Sequence, residues 1–510
     1  MTTTGAFAMR RYLLAATAAV AVSLAGMAQA QPLPTMRIGI ADDADALDPT
    51  LGRTFVGRIV FASLCDKLFD IDAKLNIVPQ LAASSQWVDN KTLEIKLRPG
   101  VKFHDGTLMD AAAVKFSMER HLTLQGSTRR GEVSSLDQVE IVDPLTVRMI
   151  LKSPSSPFIS LLADRAGMIV PAGSPGADFA KNPICTGPFK FTERVPQDRI
   201  VLDRFPDYWD AGKIKLGRVV FRPIADGTVR LANLQSGVLE IAERFEPNEL
   251  ETIRKDPKLR AVVANGLGYV NLTFNHSNGT RARTPMMTDP RVRQAFMLAV
   301  DRAGINDVVF NGLHTPVAQA VPPDSPFFDP AVTIPPRDVA KAKALLAAAG
   351  VKLPMPVELL VSNSPVQRQI GEVIQSMAAE AGFDVKLRTM EFVSALKASD
   401  DGDFEVYLIG WSGRVDIDGN VYNGLKTKGP LNSTGYSDPE VDSILDRARE
   451  ITDIPQRRAL YGRMSQKIQQ DLPVAYLWAP KSIVGMSARV GGYVPISDGL
   501  IRPQNLTLAP

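Results

Sequence analysis

The stretch "GWSGRVDIDGNVY", residues 410–422, gathers side chains able to grip a solute. Trp411 offers an aromatic face, Ser412 a hydroxyl, and Arg414 a planar fork of donors suited to a carboxylate. Asp416 and Asp418 add two acceptors for a cationic group, while Gly410 and Gly413 let the backbone approach a bound molecule closely. The stretch directly follows "FEVYLIG" (404–410), which reads as a buried strand. A second polar loop, "SNSPVQR" (362–368), follows another predicted strand, "VELLV" (357–361). Ligands of open α/β sheets sit beyond the carboxyl ends of the strands, where both loops fall. Arg368 lies in the first turn of a predicted helix, where free N–H groups and the helix dipole favour an anion. Taken singly, each residue has a purely structural alternative: Trp411 capping the core, Arg368 on a solvated helix face, Arg414 paired with Asp416 or Asp418.

The elements that must position these loops follow from periodicity. Between roughly 270 and 475 the chain alternates strands and helices: "VAKAKALLAAAG" closed by Gly350, "VELLV", "QRQIGEVIQSMAAEAG" closed by Gly382, "FDVKL", "EFVSALKAS" and "FEVYLIG". Such alternation implies parallel strands with right-handed crossovers. The first third is β-rich instead. "TLEIKL" (92–97) sets Leu93, Ile95 and Leu97 against Glu94 and Lys96, and Asp110 is placed to cap a helix through "AAAVKFSMERHL". "YVNLTFN" leads from one lobe into the next near residue 270. A chain of 510 residues exceeds the size at which one core stops growing, so more than one lobe is expected.

The amino terminus reads as an export signal. Arg10 and Arg11 precede the apolar run "YLLAATAAVAVSLAG", which ends in the small-residue site Ala28-Gln29-Ala30. The run is shorter than the ~20 apolar residues of a membrane span, so cleavage after Ala30 is expected. No cysteine stands near that site to carry a lipid, which predicts an untethered exported protein. The paired arginines resemble a twin-arginine signal only loosely, and Met9 is an alternative start.

The formal charge of +3 includes those two arginines, leaving +1 after cleavage, and no long basic run occurs. This disfavours nucleic acid as a partner, since affinity for phosphate backbones comes chiefly from clustered positive charge. The only two cysteines, Cys65 and Cys185, allow either one disulfide or two buried thiols, and four scattered histidines offer no metal-ligand spacing. No metal or other cofactor is expected. A secreted hydrolase is the main rival class. "GWSGR" is Gly-x-Ser-Gly rather than the Gly-x-Ser-x-Gly elbow, "FHDG" (103–106) is better explained as a turn, and neither a phosphate loop nor H-E-x-x-H is present. Binding is the simpler account. A chaperone-like binder of unfolded chains is a third possibility, predicting broad weak binding without lobe closure.

Several blocks then point to a family. "KLRPGVKFHDGTLMDAAAVKFSMERHL" (96–122), "CTGPFKF" (185–191), "NLTFNHSN" with "TDPRVRQAFMLAVDRAGI" (271–305), "GWSGR" and "GYSDPEVDSILDRARE" (435–450) resemble family 5 extracellular solute-binding proteins, the peptide and nickel receptors of ABC importers. The resemblance runs in order over nearly the whole mature chain. It implies a periplasmic, non-enzymatic α/β receptor, a type II clamshell of two lobes with an extra β-rich subdomain in the first. By that analogy 31–66, 186–268 and 479–510 form the first lobe, 67–185 the accessory subdomain, and 269–478 the second lobe. The implied partners are a small-molecule or peptide ligand, a membrane permease and its ATPase subunits, with the receptor itself a monomer.

In the family's dipeptide receptors the Trp and Gly of G-W-x-G line the pocket, and the next residue is an Asp that holds the ligand's ammonium. Trp411 and Gly413 match, whereas Arg414 replaces the acid with a base. An Arg there repels an ammonium and favours a carboxylate. Arg368 aligns with the arginine that receives a peptide carboxylate in those relatives. "GWSGR" followed by "DIDGN" is also similar to the glutathione-binding branch, in which case Asp416 or Asp418 takes the ammonium. The expectation is a receptor for a small peptide or peptide-like, carboxylate-bearing solute, with a nickel chelate, opine or sugar-like solute as alternatives.

Overall fold

The computed structural model describes residues 32–510; the export signal expected at 1–30 lies outside the described residues. No described helix is long and apolar enough to cross a membrane.

Three main sheets organise the chain. The first has seven strands, in the order Leu259–Asn265, Lys481–Ser487, Ile241–Ala242, Thr35–Ile40, Arg218–Pro223, Arg199–Arg204, Phe189–Val195. Thr35–Ile40 runs parallel to both of its neighbours, and the flanking pairs are antiparallel. Its fully buried Met36, Ile38 and Ile40 meet the helix Phe55–Leu64 through Ile59, Val60 and Phe61.

The second sheet has six strands, in the order Thr315–Pro316, Val474–Ala479, Tyr269–Phe274, Val406–Trp411, Met355–Ser362, Phe383–Met390. Met355–Ser362 pairs in parallel with Phe383–Met390 and with Val406–Trp411, as the strand–helix alternation requires. The helices Val339–Ala349, Pro365–Ala379 and Phe392–Asp400 supply the connections. Gly350 closes the first of these in the left-handed conformation at φ 69°. The second helix ends at Ala379, before Gly382, which instead takes the positive-φ turn at φ 105° into the next strand. Trp411 is the last residue of its strand, so the loop begins one residue later than the sequence pattern implies.

The four-stranded antiparallel sheet, Ala82–Trp87, Thr92–Leu97, Thr146–Leu151, Leu136–Asp143, belongs to neither. Leu93, Ile95 and Leu97 all face its core, and Asp110 caps the helix Ala111–Thr123 by accepting from the Ala113 N–H. Cys65 and Cys185 are joined in a disulfide with Cα atoms 4.9 Å apart.

The chain crosses between the two large sheets twice, and the crossings touch. It leaves the first sheet at Asn265 and enters the second at Tyr269; it returns between Ala479 and Lys481. The Gly266 N–H donates to the Pro480 carbonyl at 2.9 Å, so the two crossing segments lie side by side.

Candidate functional site

The loop after Val406–Trp411 is seated on the first crossing. Gly413 pairs with Leu267 in an isolated parallel bridge. At φ 76°, and with an added Cβ only 2.2 Å from the Leu267 carbonyl carbon, position 413 admits glycine alone. The close approach expected of Gly413 is therefore made to the protein's own backbone. Gly410 is exposed. Asn420 fixes the loop from behind: its Oδ1 accepts from the Arg414 N–H at 2.7 Å and from Trp411 Nε1 at 3.2 Å, and its Nδ2 donates to Ala320 O at 3.0 Å.

Arg414 is buried and reaches out of its own lobe. Its Nε lies 3.1 Å from Asp164 Oδ2, on the segment that precedes the short turn Arg165–Gly167. Arg58, from the helix Phe55–Leu64, binds the same Asp164 oxygen at 2.5 Å and donates through Nη1 to Ser412 Oγ at 3.0 Å. Thr54 starts that helix by accepting from the Gly57 N–H, which fixes the turn that bears Arg58. One carboxylate thus ties together the first-sheet lobe, the four-stranded part and the 410–422 loop. Around it lies a narrow cleft, open to solvent, lined by Arg58, Ser160, Asp164, Met168, Leu267 and Arg414 among others. The Arg414 guanidinium lies 5.2 Å from the Trp411 ring centroid, and its Nη2 is buried without a hydrogen-bond partner among the described residues.

Burial works to raise the Asp164 carboxyl, but the Arg414, Arg58 and Arg165 guanidiniums win and hold it well below the usual carboxylate range. Asp164 is therefore ionised throughout the physiological range. Burial, then the neighbouring Arg58 charge, pushes Arg414 down to about 10, against the opposing pull of Asp164. Two guanidiniums on one carboxylate oxygen leave the site short of negative charge.

The remaining predicted residues are placed elsewhere. Asp416 receives both outer nitrogens of Arg457 at 2.7 Å each, and Asp418 receives Arg449 at 2.7 and 2.8 Å. This corrects the expectation that one of them is free for an ammonium group or for Arg414: both carboxylates are buried and already neutralised by bidentate pairs. Arg368 is exposed on the helix Pro365–Ala379 and is not among the residues lining the cleft, so it does not join Arg414 in one anion clamp. Sequence reasoning missed Arg58, Asp164 and Asn420. Asn420 alone left a signal, as a polar residue inside the quoted stretch; Arg58 and Asp164 have no local pattern to betray them.

Residues 76–433 match the family described as bacterial extracellular solute-binding proteins, family 5 Middle. The glutathione-binding protein GsiB of Pectobacterium atrosepticum is 29% identical over 479 residues, covering 91% of this chain and 92% of that protein. Among solved structures, AgaA from A. tumefaciens R10 in complex with agropinic acid superposes with a TM-score of 0.84 at 29% identity, covering 93% of this chain and 99% of that one. The Helicobacter pylori ABC transporter-associated periplasmic binding protein DppA, in complex with the peptide STSA, superposes with a TM-score of 0.86 at 25% identity, covering 94% and 98%. The two large sheets and the cleft at their crossings are thus the lobes of a type II binding-protein fold, a receptor and not an enzyme: the chain belongs to the bacterial extracellular solute-binding proteins, family 5.

Proposed function

We propose that the protein is a periplasmic receptor that delivers a small peptide or peptide-like, carboxylate-bearing solute to the permease and ATPase subunits of an ABC importer. It acts as a monomer, exported with its signal removed after Ala30 and without a lipid anchor. The observation that carries the reading is Arg414: a buried guanidinium at the junction of the lobes, with Nη2 unpartnered. A carboxylate is the partner that satisfies such a fork. Relatives that bind glutathione or a peptide, or hold agropinic acid, support the same class. The complex with agropinic acid, at the same identity as the glutathione-binding relative, also favours a second reading within that class, an opine-like acid in place of a peptide.

The test is thermal unfolding of residues 31–510 against dipeptides, longer peptides, glutathione, opines and nickel chelates. A ligand at 100 times its dissociation constant adds about 2.7 kcal/mol of stability, a readily seen rise in Tm. Carboxylate-rich compounds are expected to raise Tm, and Arg414→Ala to cut the rise to about a third at the same ligand concentration. A rise confined to nickel chelates or neutral sugars overturns the carboxylate reading.

A further inference from the structure

The charges around the cleft do not balance. Four buried guanidiniums, Arg58, Arg129, Arg165 and Arg414, share one cluster with two buried carboxylates, Asp164 and Glu132. Arg58, Arg165 and Arg414 all lie against Asp164, at 2.5, 3.5 and 3.1 Å. Arg129 pairs with Glu132. Arg165 and Arg129 are linked through the segment at 50–53: Arg165 donates to Gly52 O at 2.7 Å, and Thr128, whose hydroxyl Arg129 binds, donates to Thr50 O at 3.2 Å. The other charges at the cleft cancel. Lys67 binds Asp70 at 2.5 Å, and Arg502 is shared between Asp498 at 2.7 Å and Asp70 at 3.3 Å. Behind the loop, Asp416 and Asp418 are matched one for one by Arg457 and Arg449.

The surplus is therefore two positive charges, confined to the Asp164 cluster. Two guanidinium nitrogens on residues that line the cleft, Arg58 Nε and Arg414 Nη2, are buried without a hydrogen-bond partner among the described residues. Uncompensated buried charge is costly, and an occupant of opposite charge removes that cost. An ammonium group on the occupant adds a third positive charge, and both lining carboxylates, Asp164 and Asp498, are already occupied by arginines. Among the described residues the one buried carboxylate oxygen without a hydrogen-bond partner, Glu132 Oε2, belongs to a residue that does not line the cleft.

Resting on the reading of the cleft as a carboxylate receptor, we infer that its ligand is a dianion without a free amino group: two carboxylates on a skeleton whose nitrogen is acylated, closed into a lactam or otherwise uncharged. The receptor discriminates against the zwitterionic amino terminus of ordinary peptides.

Matched pairs test this in the mature protein by isothermal titration: γ-glutamylglycine against N-acetyl-γ-glutamylglycine, and alanylglutamate against N-acetylalanylglutamate. The acetylated member of a pair is expected to bind at least about ten-fold more tightly, a difference of about 1.4 kcal/mol. Arg414→Ala is expected to shrink that preference. Equal or tighter binding of the free amines, lost in Glu132→Gln, overturns the inference while leaving the carboxylate reading intact, since Glu132 is then the ammonium acceptor. Binding of no member of either pair, alongside binding of uncharged solutes, overturns the carboxylate reading and the inference together.

Discussion

Two buried charge arrangements lie within a few residues of each other on the 410–422 loop, and they are built on opposite rules. Asp416 and Asp418 each receive one guanidinium through two hydrogen bonds, and the Arg457 and Arg449 guanidiniums also lie 4.8 Å from the Phe327 ring centroid and 3.1 Å from that of Tyr422. Those pairs match one guanidinium to one carboxylate, although Arg457 Nε is itself buried without a hydrogen-bond partner among the described residues. Arg414, by contrast, shares Asp164 with Arg58, so that two guanidiniums meet one carboxylate oxygen. A complete pair tells of structure, because breaking it leaves a buried charge alone. An incomplete one tells of an occupant, because something from outside is needed to finish it.

The sharpest way to break the contrast is to remove one half of a complete pair. Asp418→Ala leaves Arg449 buried with only Gly131 O and Ser134 Oγ as further acceptors, so a loss of about 3–5 kcal/mol in urea unfolding is expected. A loss under about 1 kcal/mol would erase the distinction. Arg414→Ala should behave in reverse. Asp164 keeps Arg58 and one surplus charge disappears, so unliganded stability stays within about 1 kcal/mol, while binding of a carboxylate ligand measured by calorimetry weakens by on the order of 2 kcal/mol.

A buried acid that lacks a guanidinium makes a third case. Asp66 accepts from Trp209 Nε1 at 2.7 Å and Gln80 Nε2 at 2.9 Å, and burial pushes its carboxyl up to about 7. With the folded value above the unfolded one of about 3.9, its contribution is fully present at low pH and is lost as pH rises toward 7. The decline is roughly 1 kcal/mol per pH unit between pH 5 and 6. Asp66→Asn should flatten the stability profile there; an unchanged slope rejects the assignment. The smallest effect belongs to Arg53, whose Nη1 meets both oxygens of the half-exposed Asp400 at 2.8 Å across the lobes. Asp400→Asn should change ligand affinity by less than about 1 kcal/mol, and any change should fade at high salt.

The parts of this molecule that read well from sequence are those whose partners are local. "TLEIKL" alternates by two and is a half-buried strand, Asp110 caps the helix that begins at the next residue, and the strand–helix rhythm after 350 yields a parallel run. The loop holding Trp411 to Arg414 was legible for the same reason, as glycine, aromatic and base at the end of a strand. Its partners were not. Arg58 and Asp164 come from helix and turn positions with no pattern that ties them to residue 414 or to each other, and only the meeting of three parts of the fold makes them neighbours. Asp416 and Asp418 misled because an acid in a polar loop looks free; Arg457 and Arg449, on later helices, are what neutralise them. Arg368 misled in another way: a helix start favours an anion, but nothing in the spacing says which cleft that start faces.

The Cys65–Cys185 bridge has a consequence for how this architecture can vary. It fastens the end of the helix Phe55–Leu64 to the segment just before the strand Phe189–Val195, and none of the strands between contributes to the seven-stranded sheet. A gap of 4.9 Å between Cα atoms is little more than the ~3.8 Å that one peptide unit spans. The enclosed segment is therefore a pendant on a closed neck, tied further to the lobe that carries it by the buried Arg120–Asp48 pair. The pendant also carries Asp164, the residue that Arg58 and Arg414 share. A segment whose two ends are stapled together thus supplies the one acid at which three parts of the fold meet, so a change within it reaches the 410–422 loop directly.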